Sequence, residues 1–334
     1  MKTRSFVGFC VPSVVLMLAL LALPLGMTFW LSVRHCAPLR ELVTVQQSGP
    51  FGSQPVLTQR TRIDAAGRAM ERCGFVGLDY YRKVLGLAAS GSAPGSADAP
   101  GGDEPSHNEF VQALKFTLIY IAATTPFILA GGLALALAVQ LASARLRGFL
   151  IAASLLPFII TPLVGALTIK WLFRDNGLVP HLLSGLGIQV FWMAQAGSAR
   201  LLIVLYGVWH VLPFAFIVLY AGLQSVPQDS LEAARLDGAS RWQQLRFVTL
   251  PHLIPLAVFV TLIHVMDAYR VFEPVLVLTQ GAFTTSVQYL TYQVLLEENN
   301  PFKASAAAVL TVLGIAVLIF PLLRRTWREQ RQGF

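Results

Sequence analysis

Residues 229–255 read DSLEAARLDGASRWQQLRFVTLPHLIP, and the fold class turns on this stretch, a polar helical hairpin set between strongly apolar segments. Asp229 with Glu232 three residues on has capping-box spacing, Leu231, Ala234 and Leu236 give the helix it starts an apolar side, and Gly238 is placed to end that helix. Ser240 with Gln243 repeats the capping pattern. Trp242, Leu245 and Val248 then follow at i, i+3 and i+6 on one face, and Pro251 marks the turn into the next apolar segment. Two short helices joined at a glycine make a compact knob, suited to docking.

Outward from the hairpin the chain is apolar. Of 334 residues, 55% are hydrophobic and 13% charged, which excludes an ordinary soluble domain. Six runs are long enough, or nearly so, to cross a hydrocarbon core of about 30 Å. They are Phe6–Leu31, Phe116–Leu141, Phe149–Phe173, Leu201–Leu223, Leu253–Thr279 and Ala304–Leu323. The expected class is all-α, a polytopic membrane protein of about six transmembrane helices. The first run exceeds the apolar part of a signal peptide and lacks a convincing cleavage site, so it reads as a retained span. Residues 1–33 are thus a first helix, 34–108 a periplasmic loop, 109–323 a membrane core including the hairpin 225–255, and 324–334 a basic tail. Within the loop, GLAASGSAPGSADAPGGDEPS (86–106) has the composition of a flexible connector, whereas FVGLDYYRKVLG (75–86) is amphipathic and suits the outer membrane surface, with Tyr80 and Tyr81 at headgroup depth. Small residues in GGLALALA (131–138) and ASAAAV (304–309) allow close helix approach.

The net charge of +8 is topological in origin. Lys2 and Arg4, Arg145 and Arg147, Arg235, Arg241 and Arg246, and Arg324, Arg325, Arg328 and Arg331 all fall on one side of the six spans. The opposite short loops, 176–197 and 281–300, have no Lys or Arg. By the positive-inside rule both termini and the hairpin are cytoplasmic. The basic residues form no patch beside aromatic platforms, which argues against nucleic acid. Cys36 and Cys73 both fall in the segment placed outside; there they either pair or remain two free thiols.

The hairpin resembles the cytoplasmic loop of the membrane subunits of binding-protein-dependent ABC importers, which carry E-A-A-x3-G-x9-I-x-L-P. Glu232, Ala233, Ala234, Gly238, Leu250 and Pro251 match that spacing, with Val248 replacing the isoleucine. The resemblance implies that this segment, Asp237 included, contacts an ATP-hydrolysing subunit. Further similarity to carbohydrate and polyol permeases lies in LRGFLIAASLLPFIITPLVGALTIKWLF (146–173), WHVLPF (209–214) and residues 229–292. After the fifth span the chain has LTQGAFTTS (278–286) in place of the family's glycine-rich, proline-ended turn, and around Lys115 and Phe116 it departs from the family's asparagine-threonine pattern. The resemblance further implies a second, related permease subunit forming a heterodimer, two ABC ATPase subunits that bind ATP and Mg, an extracytoplasmic solute-binding protein, and a bacterial inner membrane with its lipid.

No phosphate-binding loop, nucleophile set or metal-binding array stands out, so the chain reads as a transport subunit that is not itself an enzyme and binds no cofactor of its own. The informative polar residues lie in the fifth span, where His264, Asp267, Arg270 and Glu273 recur every three residues. Each Asp or Arg at membrane depth costs about 2.5–3.5 kcal/mol, so these groups must face a cavity or one another. One reading is a self-neutralising Asp267–Arg270–Glu273 ladder that fixes packing; the other is a face lining the solute path, with Tyr269 and Phe272 as aromatic flanks for a hydroxyl-rich solute. Pro157, Pro162 and Pro213 are placed to kink spans. The expected function is translocation of a sugar, polyol or similar hydroxylated solute, with an ion-gradient-driven secondary transporter as the alternative.

Overall fold

The computed structural model describes residues 3–49, 52–64, 70–87 and 109–332. The flexible connector expected over 86–106 lies almost wholly outside them. The chain divides into two compact units, one drawing on residues 1–107 and 294–310, the other on 108–293 and 311–334.

The first unit opens with helix α1 (Thr3–Ser32), whose apolar side chains from Val11 onward are almost all exposed, as suits a helix solvated by lipid. Four strands follow: β1 (Arg34–Pro38), β2 (Arg40–Gly49), β3 (Gly52–Thr61) and β4 (Glu71–Phe75). They make two antiparallel pairs, β1 with β4 and β2 with β3. β-branched residues supply much of the β2–β3 ladder, Val45 facing Val56 and Thr44 facing Leu57. The sequence reading of a polar loop missed these strands. Cys36 and Cys73 are register partners across β1 and β4 and form a disulfide. Helix α2 (Asp79–Val84) buries Tyr80 and leaves Tyr81 half-buried. Tyr81 donates to Ser32 Oγ at 2.7 Å, because the Ser32 hydroxyl is already given to Phe29 O. Tyr80 bonds His35 Nδ1 and stacks on Phe302 at 6.3 Å, and burial, helped by the Asp79 charge, pushes its phenol up to about 12. These rings tie strand, helix and α1 together.

The second unit holds the membrane core. It begins with α3 (Glu109–Leu141), followed by α4 (Ala144–Ile159), α5 (Pro162–Phe173), α6 (Leu178–Gly185) and α7 (Ala196–Gln224). After these come α8 (Gln228–Leu236), α9 (Arg241–Gln244), a π-helical turn (Leu245–Thr249) and α10 (Leu250–Tyr269). A second π-helical turn (Val275–Thr279), α11 (Val287–Leu296) and α12 (Pro301–Gln332) complete the described chain, with residues 294–310 belonging to the first unit. Among the described residues, five helices are long and apolar enough to span a membrane, and α4 with the helical run after it counts as a sixth if taken as one broken span.

Close backbone approach builds this core, as expected where lipid tails are as apolar as the side chains they replace. A Cβ on Gly132 of α3 would stand 2.9 Å from Ala215 Cβ and 3.0 Å from the Phe216 backbone nitrogen on α7. Gly222 of α7 similarly admits Leu253 and Leu256 of α10, and Gly314 of α12 admits the Tyr269 ring. Phe216, Ile128, Leu202, Leu253 and Val260 fill the space between them.

Two of the expected spans are interrupted, the first at Pro162, one of the prolines placed to kink a span. The run Phe149–Phe173 is bent by 95° between α4 and α5. Ile160 and Thr161 are extended, with ψ of 131° and 143°, because Thr161 precedes Pro162 and a pre-proline residue is driven out of the helical region. The run Leu253–Thr279 stops as a regular helix at Tyr269. Pro274 has no N–H to bond the Arg270 carbonyl, and the chain resumes around it as a new helical turn.

Candidate functional site

The interruption after Tyr269 opens a cavity of about 270 Å³ within the second unit. Its wall comes from α3 (Tyr120), the start of α5 (Pro162), α7 (Tyr206, Gly207, His210), α10 (His264, Asp267), the interrupted segment (Arg270, Phe272, Glu273) and α11 (Gln288). Ser286 Oγ donates to the Val271 carbonyl at 2.6 Å, satisfying an acceptor released where α10 ends and holding the segment in place.

Five of the six residues suggested for the solute path, His264, Asp267, Arg270, Phe272 and Glu273, line this cavity. Tyr269 does not; it is buried with its hydroxyl directed at Gly314. The self-neutralising ladder is absent too, since Asp267, Arg270 and Glu273 form no ion pair with one another. The three-residue spacing places them on one face only while the helix continues, and it ends between the first and second. His264 is buried, whereas Asp267 and Arg270 are exposed and Glu273 is half-buried.

Tyr120, Tyr206, His210 and Gln288 were not singled out from the sequence. His210 sits in WHVLPF, a stretch already marked for its resemblance, but nothing in its spacing ties it to residues on α10. Its ring stacks on Tyr206 at 5.7 Å, and its Nδ1 lies 2.9 Å from the Pro157 carbonyl. That carbonyl is free because α4 ends two residues later. Tyr206 donates to Pro162 O at 2.7 Å. His264 Nε2 lies 2.8 Å from Thr124 Oγ1, which itself donates to Tyr120 O, and His264 Nδ1 is buried without a partner. Among the described residues no group of His, Cys, Asp or Glu has the arrangement of a metal site.

The second candidate region is the polar hairpin. α8 starts one residue before Asp229, with Pro227 at its N-cap and no side-chain cap. The capping box proposed for Asp229 and Glu232 is therefore not formed; Asp229 lies in the first turn, where its charge complements the helix dipole. Gly238 ends α8 as expected, with φ at +76°. Its N–H bonds Arg235 O at 3.0 Å while that of Ala239 bonds Ala234 O at 2.9 Å, the paired bonds of a Schellman motif. The second box is complete: Ser240 N donates to Gln243 Oε1 at 2.7 Å and Gln243 N to Ser240 Oγ at 3.4 Å.

No turn occurs at Pro251. The chain runs as one helical rod from Arg241 to Tyr269, with the π-helical turn ahead of the proline. Leu250 N–H bonds the carbonyl five residues back at Leu245, and this widened turn relieves the clash that a proline ring has with the carbonyl four residues back. Glu232, Ala233, Asp237, Gly238 and Pro251 are exposed, with Ala234 and Leu250 half-buried. Leu236, Trp242 and Phe247 are 89%, 66% and 68% exposed, an apolar set on an otherwise polar knob.

A family model of binding-protein-dependent transport system inner membrane components matches residues 106–329. The trehalose/maltose transport system permease protein MalF of Thermococcus litoralis is 38% identical over 151 residues, 44% of this chain and 51% of that protein, so this match spans about half of the relative. The trehalose transport system permease protein SugA of Mycobacterium tuberculosis is 28% identical over 314 residues, 94% of this chain and 85% of the relative. Among solved structures, a bacterial alginate ABC transporter in complex with an alginate pentasaccharide-bound periplasmic protein contains a chain that superposes with a TM-score of 0.59 at 25% identity, covering 66% of this chain and 79% of that one.

Proposed function

The chain belongs to the family of binding-protein-dependent transport system inner membrane components, and on that premise we propose that it carries a sugar, polyol or similar hydroxylated solute through the cavity beside His264. It acts as the multi-pass permease subunit of an ATP-driven importer. The observation that carries the reading is the continuity of the rod from Arg241 to Tyr269, which joins the capped knob at one end to the cavity wall at the other.

In this reading Glu232, Ala233, Ala234, Asp237 and Gly238 seat against an ABC ATPase subunit, with Leu236 and Trp242 supplying apolar contact. Leu250 and Pro251 lie in the rod that passes the motion on. ATPase closure pushes the knob, the rod carries the displacement along α10, and His264 and Asp267 shift against α3 and α7, switching access to the cavity. A second permease subunit, related but not identical, covers the exposed side where Asp267 and Arg270 stand. The solute arrives from an extracytoplasmic binding protein. The arginines near the knob and after α12 support a cytoplasmic knob and cytoplasmic termini in a bacterial inner membrane. The disulfide supports an oxidising compartment for β1 and β4.

The test is reconstitution. The subunit is purified with co-expressed partners, placed in liposomes with its binding protein, and assayed for ATP-dependent uptake of labelled sugars, polyols, amino acids and phosphorylated glycerols. Uptake of one hydroxylated class that vanishes without ATP is the expected result. Absence of a co-purifying ATPase, with uptake following an imposed ion gradient, would overturn the reading in favour of a secondary transporter.

A further inference from the structure

Residues 176–195 join α5 to α7 at the end of α7 away from the knob, and they contain no Asp, Glu, Lys or Arg. Within them α6 is amphipathic. At about 100° per residue, Leu178, Leu182 and the C-cap residue Leu186 fall within an arc of about 80°. They are 58%, 61% and 76% exposed, so no described residue of this chain covers them. His181 and Ser184 lie on the far side of the helix, where with Asp175, Asn176 and Gln189 they line a polar cavity of about 480 Å³. Two contacts fix the depth of the segment. The Phe173 ring at the end of α5 meets the Trp192 ring edge-on at 5.0 Å, so the chain leaves and returns at one level. Ser198, in the first turn of α7, donates to the Phe191 carbonyl at 2.8 Å and ties that level to the start of α7. With 29 residues α7 rises roughly 44 Å, about 14 Å more than the hydrocarbon core, which leaves its first turn among the headgroups. Just before α6, exposed Trp171 carries the Arg174 guanidinium 5.6 Å over its ring, an aromatic and basic pair suited to a membrane boundary.

From an uncovered leucine stripe held level at this depth, we propose that α6 is a lipid anchor. It lies flat in the headgroup layer opposite the knob, with Leu178, Leu182 and Leu186 among the acyl chains. The exposed residues Leu163, Leu167 and Trp171 recur every four positions along α5, so one lipid-facing surface continues from the span into α6. Turning the leucines to lipid and the polar cavity to water satisfies both faces of the helix at once. Because α6 has neither Lys nor Arg, apolar burial holds it there, and its placement does not depend on anionic headgroups. The anchor gives α5 a second fixed end. Tyr206 holds its start through the Pro162 carbonyl, and α6 holds its far end at the membrane surface. The wall of the solute cavity at Pro162 thereby keeps its depth, and the extended residues Ile160 and Thr161 become the joint toward α4.

The experiment uses the full chain with its co-expressed partners in phosphatidylcholine liposomes, with and without phosphatidylglycerol. On a Cys10→Ser background with the disulfide intact, a nitroxide is attached in turn to Leu178→Cys, Leu182→Cys, Leu186→Cys, His181→Cys and Ser184→Cys. Its collision rates with oxygen, which partitions into lipid, and with a water-soluble nickel chelate are read by electron paramagnetic resonance. Oxygen collisions should exceed nickel collisions at the three leucine positions, and the order should reverse at positions 181 and 184, in both lipid mixtures. Nickel in excess at all five positions puts α6 in water and overturns the proposal. Low rates for both reagents at the leucines mean that a protein surface, such as a second permease subunit, covers them, and overturn it equally. Loss of the pattern when phosphatidylglycerol is omitted overturns the apolar anchor. A parallel measurement needs no substitution. The unaltered complex is irradiated with phosphatidylcholine carrying a diazirine either beside the acyl carbonyl or at the chain end, and its peptides are mapped. Crosslinks to residues 178–186 from the carbonyl-proximal probe are expected, even if a cysteine variant fails to assemble. Crosslinks from the chain-end probe alone would place the helix too deep, and no crosslinks from either would remove the lipid contact; both results refute the placement.

Discussion

Replacing Gly238 separates what the knob needs for its own fold from what it needs for docking. The residue sits at φ +76°, where an L side chain costs roughly 1–2 kcal/mol, and a Cβ there meets no atom of this chain within 4 Å. Gly238→Ala, Gly238→Asn and Gly238→Trp therefore share one local penalty, smallest for Asn, which tolerates the left-handed region. The open space beside the Cβ leads us to expect little change in expression and thermal midpoint across the series. If an ATPase subunit closes over the open space beside Gly238, the effect on transport must follow side-chain size: Ala mild, Asn intermediate and Trp severe. A well-packed interface loses about 1–3 kcal/mol on overpacking, enough to cut coupled uptake about 5- to 150-fold. The assay is solute taken up per ATP hydrolysed in proteoliposomes, with ATPase retention on purification as control. Unchanged coupling in Gly238→Trp, with the ATPase still bound, would refute the docking argument. An Asn variant as active as wild type beside a defective Ala variant would show that backbone conformation alone matters.

Three further expectations concern packing and stability. A Cβ on Gly207 would collide with the Tyr120 hydroxyl, so Gly207→Ala should destabilise by about 1–3 kcal/mol, and adding Tyr120→Phe should recover part of the loss in a thermal-shift series. Cys36 and Cys73 close a loop of sequence separation 37, for which chain entropy gives about 4 kcal/mol. The double serine variant should therefore expose residues 34–75 to protease at lower denaturant, and equal protection with and without reductant would contradict this. Ser240→Ala removes one half of the capping box and should cost about 1 kcal/mol, read as faster amide exchange at Gln243 with no change in the exchange of α7.

Legibility in the sequence followed the range of the interaction. The Schellman end at Gly238 and the box at Ser240 were readable because each is settled within six residues. The missed cap at Asp229 shows how a proline two positions earlier can start the helix first. The spans were visible as apolar runs, yet their interruptions depended on Pro162 and Pro274, whose effect on a membrane helix is decided by whether neighbours such as Ser286 satisfy the freed backbone groups. Four residues of the cavity, His264, Asp267, Arg270 and Glu273, were found through the cost of polar groups at membrane depth, and Phe272 as an aromatic flank beside them. Tyr206 and His210 escaped because aromatic and imidazole rings are unremarkable in an apolar run until α4 ends beside them. The strands at Arg40–Thr61 left a β-branched trace in LVTV and PVLT that overall polarity obscured.

The π-helical turn between knob and span has a consequence for gearing. A helix advances about 100° per residue, so the one extra residue accommodated by Leu245–Thr249 sets the angular phase between Trp242 and His264. Were that turn to tighten to regular α-helical winding, everything beyond it would rotate relative to everything before it. At the rod's outer radius of about 5 Å, even a 20° twist sweeps a side chain through about 2 Å. An axial push of the same size would leave each residue facing the same neighbours, whereas a twist exchanges them. The junction is thus placed to act as a clutch, converting displacement of the knob into a change of which groups α10 presents to the cavity.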